Sequence, residues 1–290
     1  MKINKLTLSD DGYPAALRQT LPIPKQLFVA GAPLDNMMQC PRVAVVGSRK
    51  LSAYGREVTM QLARQLAAQG VVIISGLALG VDALAHRAAL EAGGLTVAVL
   101  PGPVETVYPA SHAQLARQIA AQGGTLVSEY PAGTELYRGN FIARNRIIAG
   151  LADAVLITEA AEKSGSLHTA RFALEQGRDV LAVPGSVFSP TSVGTNNLIK
   201  AGATPVTDVS DVLHALGIER AAAGKLHNVQ GDTPEEQLLL DLLAGGTQDG
   251  EALLTRSKLD VTRFNQTLTM LEITGKIRAL GGGQWALCNR

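Results

Sequence analysis

Between residues 42 and 216, short apolar runs rich in β-branched residues alternate with segments of helical period. The runs fall at 43–46, 71–74, 96–100, 125–127, 154–158, 180–183 and, more weakly, 204–206. Helical periods fill the gaps at 52–69, 80–92, 111–121, 141–151, 167–176, 195–201 and 209–216. A strand that is apolar at successive positions has both faces buried, and the helices between such strands supply the cover. With right-handed crossovers this is an α/β fold, a doubly wound, mostly parallel, extended Rossmann-like sheet.

The flanking stretches read differently. Residues 1–40, punctuated by Pro14, Pro22, Pro24 and Pro33, read as a leader packed on the main domain, with 26–30 as an edge strand ended by Gly31. The main domain takes 41–217. From 218 to 232 the pattern lapses, with Ala221-Ala-Ala-Gly224 and little to bury, which predicts a linker. Residues 233–290 form a separate module. Thr233-Pro234-Glu235-Glu236 is a helix start with a hydroxyl cap, a first-turn proline and acids behind it. Further helices fit 251–256 and 261–275, and a hairpin fits around Gly281-Gly-Gly283. Three helices and a hairpin make a small C-terminal winged helix-turn-helix.

Composition narrows the function. The formal net charge is +1, so a nucleic acid would have to be met by a local patch and not a global basic field. Cys40 and Cys288 lie at opposite ends of the chain, without metal spacing, and read as incidental thiols. No run is long enough to span a bilayer and the N-terminus has no apolar signal core, so a cytoplasmic protein without membrane contact is expected.

In open α/β sheets, ligands sit outside the carboxyl ends of the strands. The first run is left by Gly47-Ser48-Arg49-Lys50, the second by Ser75-Gly76-Leu-Ala-Leu-Gly80-Val-Asp82, and the third by Pro101-Gly102. The fourth leads through Glu129, Tyr130 and Tyr137-Arg138 into Phe141-Ile-Ala-Arg144-Asn145-Arg146. The fifth gives Glu159 and Lys163-Ser164-Gly165-Ser166, and the sixth gives Pro184-Gly-Ser186. Glycine-and-hydroxyl turns that open helices suit anions, and Arg49 and Lys50 add full charges. Several such turns on one edge suit an anion that repeats, and a nucleic-acid backbone is the obvious one. Phe141, Tyr130 and Tyr137 would supply stacking faces, which require unpaired bases.

Other chemistries are set aside. GxGxxG does not follow the first run, GxxxxGK[ST] and HExxH are absent, and Cys and His do not cluster. Dinucleotide, P-loop and metal sites are therefore not expected, and no cofactor is. Individual residues keep two readings. Arg144 and Arg146 contact phosphate, or pair with Glu129 or Asp153. Phe141 is a base platform or core. Asp82 braces the second loop. Glu159 is a catalytic acid, or orients Arg49 or Arg144. His86 and His168 read as structural or solvated, with no triad partner. In the C-terminal module, Arg263 stands between Asp260 and Glu272, which suits protein contact as well as groove reading.

The ordered motifs Gly47-Ser-Arg49, Ser75-Gly-Leu-Ala-Leu-Gly-Val-Asp-Ala-Leu-Ala-His86, Ser128-Glu-Tyr-Pro131 and Phe141-Ile-Ala-Arg-Asn-Arg-Ile-Ile-Ala149 continue with others. These are Glu159-Ala160, Ser164-Gly-Ser166, Thr169-Ala170, Pro184-Gly185, Gly194-Thr-Asn196 and Gly202-Ala203. Together they resemble the DNA-processing protein A family (DprA, also called Smf), from about Tyr13 to Leu287. The resemblance implies a single-stranded DNA binder that dimerises and helps load the recombinase RecA during natural transformation, with no enzymatic activity. It implies a DNA pocket including Gly47, Ser48, Arg49, Phe141, Arg144 and Asn145. Many members carry an additional N-terminal helical domain, whereas this chain begins almost at the Rossmann-like region. The rival expectation is a phosphoribohydrolase-like enzyme cleaving nucleotides with Glu159 beside Ser164-Gly-Ser166. A third is a duplex-binding regulator working through the winged helix.

Overall fold

A computed structural model describes residues 2–218, 231–244, 247, 249–281 and 283–287, with the backbone alone at 244, 278–281, 286 and 287. The chain divides into two compact units, Met1–Arg220 and Ala221–Arg290. Most of the expected linker, residues 219–230, lies outside the described residues, as does Cys288.

The first unit opens with β1 (Ile3–Thr7), a 3-10 turn at Ala15–Gln19, β2 (Gln26–Gly31) and α1 (Leu34–Met38). Strands and helices then alternate: β3 (Arg42–Val46), α2 (Ala53–Ala68), β4 (Val72–Ser75), α3 (Val81–Glu91) and β5 (Thr96–Leu100). After a 3-10 turn at Ala110–His112 come α4 (Ala113–Ala121), β6 (Thr125–Ser128), α5 (Arg138–Leu151), β7 (Ala154–Ile157) and α6 (Ser166–Glu175). The unit finishes with β8 (Asp179–Ala182), α7 (Val193–Lys200), β9 (Thr204–Pro205) and α8 (Val209–Ala215).

The nine strands form one sheet in the order β1-β2-β6-β5-β4-β3-β7-β8-β9. From β6 to β9 every pairing is parallel, while β1 and β2 join antiparallel. This corrects the reading of 26–30 as an edge strand. β2 is interior, because residues 3–7 pair outside it. That outer strand keeps Asn4 and Lys5 in solvent and so has no continuous apolar run to betray it.

Alternation along the central strands sorts the cover. Val43 and Val45 of β3, with Ala154 and Leu156 of β7, pack under α2, α3 and α8. Ala44 and Val46, with Val155 and Ile157, pack under α5 and α6 on the opposite face. A third cluster joins Ala98 and Leu100 to Leu115 and Ile119 of α4. Chain order runs outward from β3 through β4 to β6, then resumes on the other side at β7. The carboxyl ends of β3 and β7 therefore flank a topological switch point, where such sheets hold ligands.

In the second unit, α9 (Pro234–Ala244), α10 (Gly250–Ser257) and α11 (Val261–Ile273) precede an antiparallel hairpin of β10 (Ile277–Gly281) and β11 (Gln284–Leu287). Leu239, Leu240, Leu253, Phe264, Leu268, Leu271 and Ile277 form its core. Asp249 and Asp260 cap α10 and α11 by accepting from Ala252 and Arg263 N–H groups. This is a winged helix. Part of the expected turn, Gly282, lies outside the described residues. Among the described residues no helix is long and apolar enough to cross a membrane.

Candidate nucleic-acid interface

The loop after β3 is fixed from two sides. Ser48 N–H donates to the Glu159 carbonyl at 2.7 Å, and the Ser48 carbonyl accepts from Val81 N–H at 3.1 Å. Ser48 Oγ closes a local turn, donating to the Lys50 carbonyl and accepting from Lys50 N–H. The packing demands glycines. A Cβ on Gly47 would stand 2.7 Å from the Glu159 carbonyl, and one on Gly80, at φ +83°, would stand 2.2 Å from the Ser48 carbonyl. What the loop leaves in solvent is the pair Arg49 and Lys50, both exposed, while Gly47 and Ser48 are half-buried.

The start of α2 is not open to an outside anion. Glu159 is buried, and its carboxylate accepts from both Ser52 N–H and Ser52 Oγ–H. Ser52 in turn caps α2 by accepting from Gly55 N–H. The positive end of the helix is thus satisfied by the protein's own carboxylate. Glu159 orients Ser52, not Arg49 or Arg144 as the sequence suggested.

The loop after β4 is likewise internal. Asp82 Oδ2 accepts from Gly76 and Ala78 N–H groups, the bracing role expected of it. Ser75 is buried with its hydroxyl donated to the Val45 carbonyl, and Gly76 is buried too. Ser75 and Gly76 therefore present nothing to a ligand, a correction to the expected interface, while Gly80 is a half-buried spacer against the first loop. Arg144 explains why. Its guanidinium is buried and donates to the carbonyls of Gly76 and Val99. A Cβ on Gly76 would meet that guanidinium at 2.5 Å. Burial, helped by repulsion from Arg49, brings the Arg144 pKa down to about 10, so it stays charged at neutral pH. Burial raises Asp82, and Arg144 opposes that rise. Below them His86 is fully buried, hydrogen-bonded at Nδ1 to Thr96 Oγ1, and pushed down to about 3 by burial, Arg144 and His112.

Arg146 also leaves the interface. It is buried in a two-oxygen pair with Glu129 at 2.7 Å and donates to the carbonyls of Pro22 and Ala143. Asp153, the other suggested partner, pairs with Arg42. Arg144 and Arg146 are struts, because one turn of α5 is pressed between the sheet and the N-terminal segment. Asn145, between them, is half-buried; its Oδ1 accepts from Arg144 Nε at 3.3 Å and its side-chain amide donates to the Gly165 carbonyl at 3.4 Å. In this loop after β7, Lys163 and Gly165 are exposed and Ser164 is half-buried. Ser166 is buried, with its hydroxyl 2.8 Å from that of Ser164.

Of the exposed remainder, Arg49 meets an aromatic ring. The Arg49 guanidinium carbon lies 5.5 Å from the centre of the half-buried Phe141 ring. Tyr108 meets the same ring edge to face at 5.4 Å. Tyr108 is 51% exposed and comes from the loop after β5, where the sequence reading singled out only Pro101-Gly102. It adds to Tyr130 and Tyr137, of which Tyr137 is 61% exposed. Its signal was an aromatic next to a proline, Tyr108-Pro109, on the carboxyl edge of the sheet. Such an exposed cation–ring contact is worth about 0.5–1 kcal/mol, little enough for Arg49 to exchange it for a phosphate.

A family model described as DNA recombination-mediator protein A matches residues 4–217. The chain belongs to the DNA-processing protein A family. A second model, the DprA winged helix domain, matches residues 225–283. Among relatives within DprA/Smf, the chain is 47% identical over 204 residues to Protein Smf of Escherichia coli, covering 70% of this chain and 54% of that one. It is 39% identical over 214 residues to DNA processing protein DprA of Bacillus subtilis, covering 74% and 71%. The chain thus spans about half the length of the Escherichia coli relative. The solved DprA of Streptococcus pneumoniae superposes with a TM-score of 0.68 at 40% identity, covering 74% of each chain. DNA processing protein A of Helicobacter pylori, studied for its single-stranded DNA binding mode, superposes at 0.66 with 33% identity, covering 73% and 95%.

Proposed function

We propose that this chain binds single-stranded DNA along the carboxyl edge of its sheet and, as a cytoplasmic homodimer, delivers the strand to RecA without catalysing a reaction. The observation that carries the DNA reading is the contact of exposed Arg49 with the Phe141–Tyr108 pair beside the switch point. A cation next to ring faces suits a phosphate followed by an unstacked base. Gly47, Ser48, Lys50, Asn145, Lys163, Ser164 and Gly165 form the rest of the proposed surface. The Helicobacter pylori relative supports the choice of a single strand. The RecA, dimer and transformation parts rest on the family resemblance.

An oligo-dT probe should bind, duplex of equal length should compete poorly, and Arg49→Glu should abolish the shift while leaving thermal unfolding unchanged. Duplex competing as well as single strand would sink the reading. The hydrolase rival has no observation in its favour, since Glu159 is buried and engaged with Ser52.

A further inference from the structure

Beyond the Arg49 surface, the same edge carries a cleft of about 580 Å³ lined by Ser52, Tyr54, Gly185, Ser186, Ser189 and Ser192, with Pro184. None of these side chains is charged, and the surface they present is mostly apolar, because the Ser52 and Tyr54 hydroxyls turn to partners within the protein. Its wall is the loop after β8, which is tied down. Tyr54 OH donates to the Pro184 carbonyl at 2.8 Å, and the Asn196 side chain exchanges two hydrogen bonds with the backbone of Gly185. Backbone bonds run from Ser189 N–H to the Ser186 carbonyl and from Ser192 N–H to the Ser189 carbonyl. Yet this tethered loop holds Phe188 at 94% exposure and Val187 at 78%. Aromatics make up 4% of the chain, so a phenylalanine held out in water forgoes burial that the core could have used.

We infer that this cleft is a nucleoside subsite, where one unpaired base and its sugar from the strand held at Arg49 settle among the serines against Phe188. The inference rests on the proposed single-strand reading and extends it. Ser52 follows Arg49 by three residues, so their Cα atoms lie within about 11 Å, the reach of three peptide units. One or two nucleotides of an extended strand cover that distance. A neutral, largely apolar lining suits a base and sugar and sets no cation against a phosphate, so the subsite adds contact without adding charge. Paired bases are stacked inside a duplex and cannot enter, so the subsite also favours single strands.

The test uses the full chain, a 4-thiothymidine-substituted oligo-dT, ultraviolet crosslinking and tryptic mapping. Crosslinks are expected in peptide 139–144, which holds Phe141, and in peptide 179–200, which holds Phe188. Phe188→Ala should remove the second crosslink and weaken binding about tenfold at every salt concentration, leaving the salt slope unchanged. Its near-complete exposure keeps folding out of the result. Crosslinks confined to 139–144, with Phe188→Ala binding like the wild type, would overturn the subsite and leave the Arg49 surface standing. A wild-type chain that takes up no oligo-dT would overturn both.

Discussion

The loops after β3 and β4 share a sequence signature and differ in what they can do. Each leaves an apolar strand through a glycine and a serine, and each opens a helix. In both, an internal carboxylate occupies the backbone donors: Glu159 at the start of α2, Asp82 within the loop after β4. The difference lies in the side chains. The first loop sends Arg49 and Lys50 outward, whereas the second is filled from below by Arg144. The proposed anion binding at this edge therefore rests on projecting cations, not on bare helix ends.

That contrast predicts that variants around the second loop change stability, while variants on the first surface change binding. The largest effect should come from Arg144→Leu, which strands Asp82 and two buried carbonyls. A loss of about 3–5 kcal/mol in urea unfolding is expected, as for breaking a buried charged network. Unchanged unfolding with weakened DNA binding would place Arg144 on the surface side and break the comparison. Phe141→Ala should do the reverse, weakening oligo-dT binding by about 1–3 kcal/mol with folding kept near the wild type, as read by anisotropy and thermal melting.

Smaller again is a pH effect. His86 is neutral in the fold, with its pKa lowered to about 3 by burial, Arg144 and His112. The unfolded chain binds a proton there below about pH 6.5, so His86 removes stability as pH falls from that value towards 3, by about 1.4 kcal/mol per unit. The raised pKa of Asp82 acts with the opposite sign. Both forms carry Asp82, so the difference between wild type and His86→Gln isolates the histidine. Denaturation midpoints that run parallel between pH 6 and pH 5 would contradict this.

Much of the architecture was legible because central parallel strands must be apolar on both faces, and those runs stand out. β1 was missed because Ile3-Asn-Lys-Leu-Thr7 is half solvated, and that omission turned interior β2 into an expected edge. At the proposed interface, Arg49 and Phe141 stand out by their places after a strand and at a helix start. Arg144, Arg146, Ser75 and Gly76 read the same way, but a residue type does not reveal its burial. The partners that internalise them, such as Val99 for Arg144 and Pro22 for Arg146, are distant in sequence. Tyr108 was overlooked because its meeting with Phe141 depends on a loop converging with the start of α5.

The most direct test of the whole account is the salt dependence of oligo-dT binding for the wild type and Arg49→Ala. Each phosphate neutralised on a single strand contributes about −0.7 to the slope of log affinity against log salt. The account predicts a wild-type slope of several such units, and for Arg49→Ala a slope shallower by about 0.7 with weaker affinity and unaltered unfolding. Identical slopes and affinities in the two proteins would contradict it.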